Sequence, residues 1–173
     1  MKGTTTLSGP HMSLLDWLAG NDVEVEIHEH AEAFTARASA RAEGVDPRTF
    51  AKVVGVMTED GRRILVVLDA TDHLDLSKAA AALFTDRVRL LSEGELTDLA
   101  RGCEAGALPA VGRLYGLPTY ADHAVRDDPD ISFNAGSHRF SVRVDREAWE
   151  KAARVRYADL ALDSERRPAW DRS

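Results

Sequence analysis

Three stretches of this 173-residue chain hold residue types and spacings suited to chemistry. The first is Gly102-Cys-Glu-Ala-Gly-Ala-Leu-Pro-Ala-Val-Gly112, continuing Arg-Leu-Tyr-Gly116. It contains four glycines, one proline and the only cysteine, and has neither helical nor strand periodicity. Glycine admits positive φ and close approach of a ligand to the backbone, and proline fixes the next bend. Gly106, Pro109 and Gly112, three residues apart, can therefore aim several main-chain N–H groups one way, toward a carbonyl or phosphate oxygen. The plainer reading is a long connecting loop. The second stretch, Phe50-Ala-Lys52-Val-Val-Gly-Val-Met57, is apolar on both faces of a strand yet carries a lysine. Such a lysine either snorkels at the sheet end or is held for a purpose. The third is Phe133-Asn134-Ala-Gly136-Ser-His138.

The elements that must position these residues follow from patterning. Ser13 is expected to cap a short helix through Leu14, Leu15, Trp17 and Leu18, ended at Gly20-Asn21. Val23, Val25 and Ile27 alternate with Glu24, Glu26 and His28 as a half-buried strand. Within His28-Glu29-His30 the two histidines share one strand face, but no third metal ligand is near, so a solvated strand end is expected. Thr35 caps a helix from Ala36 to Glu43, stopped by Gly44, with Arg37 and Arg41 at i,i+4 on one face. That face either meets phosphate or is plain solvated surface.

The Lys52 strand should pair with Arg63–Leu68 as a hairpin turned at Glu59-Asp60-Gly61 and lie centrally in its sheet. The acids and His73 between Asp69 and Asp75 are expected as a turn and helix N-terminus ahead of Leu76–Phe84. A strand over Arg87–Leu91, a capping box Ser92-Glu-Gly-Glu95, an edge strand Leu117–Tyr120 behind Pro118, a hairpin of Ile131–Gly136 with Arg139–Val144, and a last helix capped by Asp145 complete the pattern.

Composition bounds the function. Hydrophobic residues at 44% and charged residues at 29% describe one ordinary globular domain. A lone cysteine excludes an internal disulfide or cysteine-cluster metal site and makes the cytoplasm the expected compartment. No apolar run is long enough to span a bilayer, so no membrane partner is expected. A net charge of −7 argues against a large nucleic-acid footprint, including DNA, but leaves room for contact with one RNA end. Residues 1–12 are expected to be a flexible leader, 13–163 the domain, and 164–173 a loose polar tail.

The three stretches, in this order and at these separations, resemble the YbaK/EbsC family, related to the editing insertion domain of bacterial prolyl-tRNA synthetases; the resemblance runs from Ser13 to about Leu162. It implies an α+β fold, a single compact domain with a mixed, mostly antiparallel curved sheet flanked by helices. It also implies a trans-editing aminoacyl-tRNA deacylase that hydrolyses mischarged tRNA carrying a small amino acid. The implied partners are the mischarged tRNA acceptor end and an aminoacyl-tRNA synthetase, with no cofactor and no metal. By position, Lys52 matches the family's strand lysine near the tRNA 3′ end, and Gly106, Ala107, Leu108, Pro109 and Gly112 its glycine–proline loop at the aminoacyl carbonyl. Asn134, Gly136 and His138 match the segment beside the pocket. The chain departs from many members in carrying Ala105 four residues before the proline, with glycine at Gly106.

Ester hydrolysis needs a nucleophile, a proton acceptor and an oxyanion donor. Cys103 with His138 or His123 is one route. Water attack assisted by the substrate's vicinal ribose hydroxyl, with loop N–H groups as oxyanion donors, is the route the resemblance implies. A non-catalytic tRNA- or nucleotide-binding module, and metal-dependent hydrolysis through His28, His30 and Asp69, are the alternatives.

Overall fold

The computed structural model describes residues 9–163. The expected tail and the first eight residues lie outside the described residues. In order, the elements are α1 (Met12–Gly20), β1 (Val25–Glu29), α2 (Ala36–Glu43), β2 (Ala51–Thr58), β3 (Arg63–Asp69), α3 (Leu76–Ala82), β4 (Val88–Leu90), α4 (Glu93–Leu99), β5 (Thr119–Asp122), α5 (His123–Arg126), β6 (Asp130–Ser137), β7 (Phe140–Asp145), α6 (Arg146–Ala153) and β8 (Arg156–Ala158). No helix among the described residues is long and apolar enough to cross a membrane.

The strands form two sheets rather than one curved sheet: β1-β7-β6 and β4-β2-β3-β5-β8. A single parallel bridge, Phe50 to Ser132, links them. The three-stranded sheet is antiparallel, and the larger one is mixed, because β5 runs parallel to both β3 and β8. The main core lies between the sheets. Ala51, Val67 and Ala121 meet Ile131, Phe133, Val142 and Val144 there, closed by Leu14 and Leu18 of α1 and Trp149 of α6. The Trp149 indole donates to Ala110 O at 2.8 Å, so the apolar ring is buried with its one polar atom satisfied. A second cluster packs Val56, Ile64, Val66 and Leu68 against Ala79 and Leu83 of α3.

Local signals set most boundaries. Thr35 Oγ1 accepts from Ala38 N, and Gly44 ends α2 at φ 82°. Asp75 and Asp145 cap α3 and α6, and Ser92 with Glu95 forms the capping box of α4. Four expectations change. His11 is already packed on β6, its N–H donating to Ala135 O at 2.8 Å, and it occupies the cap position of α1; Ser13 lies inside the helix. β5 is interior, not an edge. Pro118 precedes the strand, so its missing N–H falls outside the ladder while its carbonyl accepts from Leu65 N at 3.0 Å. The short α5 and β8 lack a periodicity long enough to be seen in sequence. Ile27 is 49% exposed, because β1 pairs only with β7 and leaves this side chain uncovered among the described residues.

Candidate active site

A cavity of about 400 Å³ opens where α2, β2 and the glycine loop converge, and Lys52 and Gly106 both line it. Lys52 stands on β2, which pairs with β4 on one side and β3 on the other, as expected for a central strand. Its Nζ donates to Asp72 O at 3.2 Å and lies 3.5 Å from His73 Nδ1. Partial burial holds the ammonium below the ordinary lysine range, and the Asp72 carboxylate offsets part of that effect. The lysine is thus a half-buried cation at the mouth of a cavity, its stem along apolar strand neighbours.

Gly106 faces it from the loop at φ 80°. The N–H groups of Gly106 and Leu108 have no acceptor among the described residues, whereas Ala107 N donates to Glu104 O at 3.1 Å. Leu108 reaches the cavity and also packs on Leu65 and Ala100, anchoring the loop to β3 and α4. Ala107 and Pro109 are buried beneath it.

The β6 residues divide. Asn134 lines the cavity at 7% exposure, and its buried Oδ1 has no hydrogen-bond partner among the described residues. Gly136 lies behind the wall. Its N–H donates to Ala107 O at 2.9 Å and its carbonyl accepts from Glu104 N at 2.8 Å, tying the loop to the strand. A Cβ on Gly136 would fall 2.7 Å from His11 Cβ, so glycine is needed for close approach as well as for its φ of 82°. His138 is also behind the wall. Its Nε2 is 2.7 Å from Ala105 O and its Nδ1 3.0 Å from Ala33 O, with the Phe34 ring 4.9 Å away centroid to centroid. Both ring nitrogens face carbonyl oxygens, so His138 joins the Ala33–Phe34 wall to the loop and turns neither nitrogen to the cavity.

Gly112 is not brought to the site. It is buried, its N–H donates to Thr119 Oγ1 at 2.9 Å, and a Cβ there would meet Leu117 O at 2.6 Å. The expectation that Gly106 and Gly112 aim their N–H groups together is therefore corrected: the chain turns inward at Pro109. Cys103 lies 3.4 Å from the Tyr115 hydroxyl, and burial pushes its thiol up, the Tyr115 contact acting the other way. His28 sits 3.9 Å from Glu26, and no group of three metal-ligating side chains gathers among the described residues.

Three residues sequence reasoning left as turn or surface also line the cavity: Arg37, Thr71 and His73, with Phe34 and Thr35 beside them. Arg37 was visible as half of the i,i+4 pair on α2. Thr71 and His73 carried no signal, since only the β3–α3 connection brings them beside Lys52.

The family model for the aminoacyl-tRNA editing domain matches residues 30–152, a span holding Lys52, the glycine loop, Asn134 and His138. The chain belongs to that family. This editing domain matches no curated protein. Among solved structures, it is similar to a candidate trans-editing enzyme for prolyl-tRNA synthetase, at 23% identity and a TM-score of 0.77, covering 91% of this chain and 100% of the other. A hypothetical protein gives a TM-score of 0.78 at 16% identity, over 87% of this chain and 99% of that one. A scaffold protein used for computational epitope grafting gives 0.76 at 25% identity, over 88% and 97%. These likenesses establish the mixed α+β fold of the editing domain.

Proposed function

We propose that this editing domain is an aminoacyl-tRNA deacylase acting in trans on mischarged tRNA that carries a small amino acid. The observation that carries the reading is the placement of a half-buried lysine and a left-handed glycine on the walls of one cavity. Lys52, with Arg37 at the rim, holds the phosphate and terminal adenosine. The N–H groups of Gly106 and Leu108, without an acceptor among the described residues, receive the oxyanion as water adds to the ester carbonyl. Asn134 orients the aminoacyl group. Small residues on the walls, Ala51 and Ala70 with Val53 and Leu108, suit a short side chain. Ala107, Pro109 and Gly136 hold the loop, and His138 acts as a positioning residue rather than a base.

Cys103 is absent from the cavity lining and His138 turns neither ring nitrogen to it, so in this reading the vicinal ribose hydroxyl orients the attacking water at high effective molarity. Collapse of the tetrahedral adduct breaks the bond from the acyl carbon to the ribose oxygen, and that oxygen takes the proton. Free amino acid and uncharged tRNA leave. A synthetase that makes the error is the natural source of substrate, which places the reaction in the compartment of translation.

The test is single-turnover hydrolysis of a tRNA charged on its 3′-oxygen, with and without the terminal 2′-hydroxyl, and with binding measured separately. The deoxy substrate should bind equally and react far more slowly. Equal rates would show that the protein supplies its own catalytic group. Binding with no amino acid release from any mischarged tRNA would make the domain a non-catalytic tRNA-binding module.

A further inference from the structure

The β2–β3 hairpin that carries Lys52 has a second end. Lys52 pairs with Leu68, five residues from Arg63, which puts the far end about 17 Å away at the usual strand rise. An open cleft of about 810 Å³ lies there, walled by the hairpin turn, the start of β5, the end of α6 and β8. Arg62, Arg63, Arg113, Arg154 and Arg156 line it, and none of its lining residues is acidic. In a chain of net charge −7 this is a marked local reversal of sign.

Arg62 is engaged by Asp60 at 3.1 Å and by Leu83 O at 2.9 Å. The other four guanidinium groups are exposed and make no ion pair among the described residues. Arg154 stands at the C-cap of α6 with φ 51° and ψ 49°. Glycine or asparagine takes that left-handed position more easily. An arginine held there lines this cleft and also the two grooves beside it, each of which contains Lys151.

We propose that this cleft binds the phosphodiester backbone of the tRNA whose aminoacyl end enters the Lys52 cavity, an assignment that rests on the proposed function for its choice of RNA. Planar guanidinium groups without carboxylate partners suit phosphate oxygens, which they grip in pairs. A stacked strand advances 3.4 Å per nucleotide, so about 17 Å corresponds to roughly five nucleotides back from the 3′ end. The cavity grips the reacting terminus, and the cleft grips the backbone behind it.

The experiment uses the full chain with uncharged tRNA, followed by fluorescence anisotropy over a salt series. Two variants are compared with wild type: Arg154→Gly and the double variant Arg63→Gln/Arg156→Gln. The double variant should bind at least about 10-fold more weakly and lower the slope of log affinity against log salt by about two. Arg154→Gly should lower the slope by about one while its melting temperature holds or rises, because glycine relieves the left-handed backbone. Hydrolysis of an aminoacyl-adenosine, which ends before the cleft, should match wild type in both. Unchanged tRNA affinity and slope overturn the proposal, including the case in which the cleft takes an acidic protein instead. Arginine-dependent tRNA binding without deacylation by the wild type leaves the cleft standing and removes the deacylase reading. Deacylation of charged tRNA with the same KM in the variants as in wild type does the reverse.

Discussion

The two halves of the segment from Gly102 to Gly116 use glycine for opposite reasons. Gly106 sits on a cavity wall at φ 80°, and an added Cβ would meet only His138 Cε1 at an ordinary 3.6 Å. Gly112 has no left-handed φ, yet an added Cβ would lie 2.6 Å from Leu117 O and 2.7 Å from Thr119 Oγ1. The first glycine is required by conformation and leaves space for a ligand. The second is required by packing and leaves none. A glycine-rich stretch is thus not one site: Gly106 and Leu108, before Pro109, line the cavity, and the half after Pro109 locks the loop onto β5.

The sharpest break between the halves is Gly112→Ala. The methyl group has main-chain oxygens to displace, so overpacking should cost about 3 kcal/mol and lower the melting temperature by roughly 6–12 °C. Deacylation should fall only in proportion to the folded fraction. Thermal melts with activity normalised to folded protein check this, and an intact melt with lost turnover would put Gly112 back in the site.

Lys52→Ala should show the reverse pattern. Lys52 makes one main-chain hydrogen bond and is half-buried, so the fold should survive. Losing a charge-assisted contact worth about 1.5–3 kcal/mol should cut kcat/KM by roughly 10- to 150-fold. Lys52→Arg should recover little, since a planar fork does not replace a compact ammonium. Wild-type turnover in the alanine variant would remove Lys52 from the mechanism.

Gly106→Ala falls between the two. A non-glycine residue at that φ costs about 1–2 kcal/mol, and relaxation of the loop should turn the N–H groups of Gly106 and Leu108. Turnover should drop about 10-fold, with a shift in melting temperature of only a few degrees. A variant that unfolds would make both halves structural.

A smaller effect concerns pH. Because burial lowers the Lys52 pKa, its charge is lost as pH rises through that lowered value, before an ordinary lysine discharges. After subtraction of uncatalysed ester hydrolysis, activity should decline along an alkaline limb that Lys52→Arg abolishes. Stability moves the other way. Between the lowered folded value and the unfolded one the unfolded chain binds more protons, so stability rises with pH over that window. An alkaline limb unchanged in the arginine variant would assign it to another group.

The fold was legible wherever a local signal decided it. The Lys52 strand and its hairpin, the Thr35 and Asp145 caps, the Ser92–Glu95 box and the turn leading into α3 all lie where patterning put them. Division into two sheets was not legible, because it depends on β7 pairing with β1 rather than on any strand's own sequence. At the candidate site, Lys52, Gly106, Leu108 and Asn134 line one cavity. His138 does not line that cavity, and sequence does not show that both its nitrogens meet carbonyls from Ala33 and Ala105. Thr71 and His73 were missed because they reach the cavity through the β3–α3 connection, with no periodicity to mark them.

The smallest effect belongs to the residue that most invites a catalytic reading. Cys103 is the only cysteine, lies in the glycine loop and precedes Gly106 by three residues. Its surroundings are those of a packed thiol. It is partly buried against Tyr115 and Gly136, and an added Cβ on that glycine would come within 3.2 Å of its sulfur. Burial raises the thiol above the usual cysteine range, so little thiolate exists at neutral pH, and the thiolate is the nucleophile. It is also absent from the residues lining the cavity. Cys103→Ala should therefore leave kcat/KM within about twofold of wild type and cost about 1 kcal/mol of stability through the small void beside Tyr115. Iodoacetamide should modify the native protein slowly and the unfolded chain fast. Loss of turnover in the alanine variant, with the melt intact, would place a nucleophile in the loop and make its cavity-facing half catalytic through a side chain rather than through its backbone.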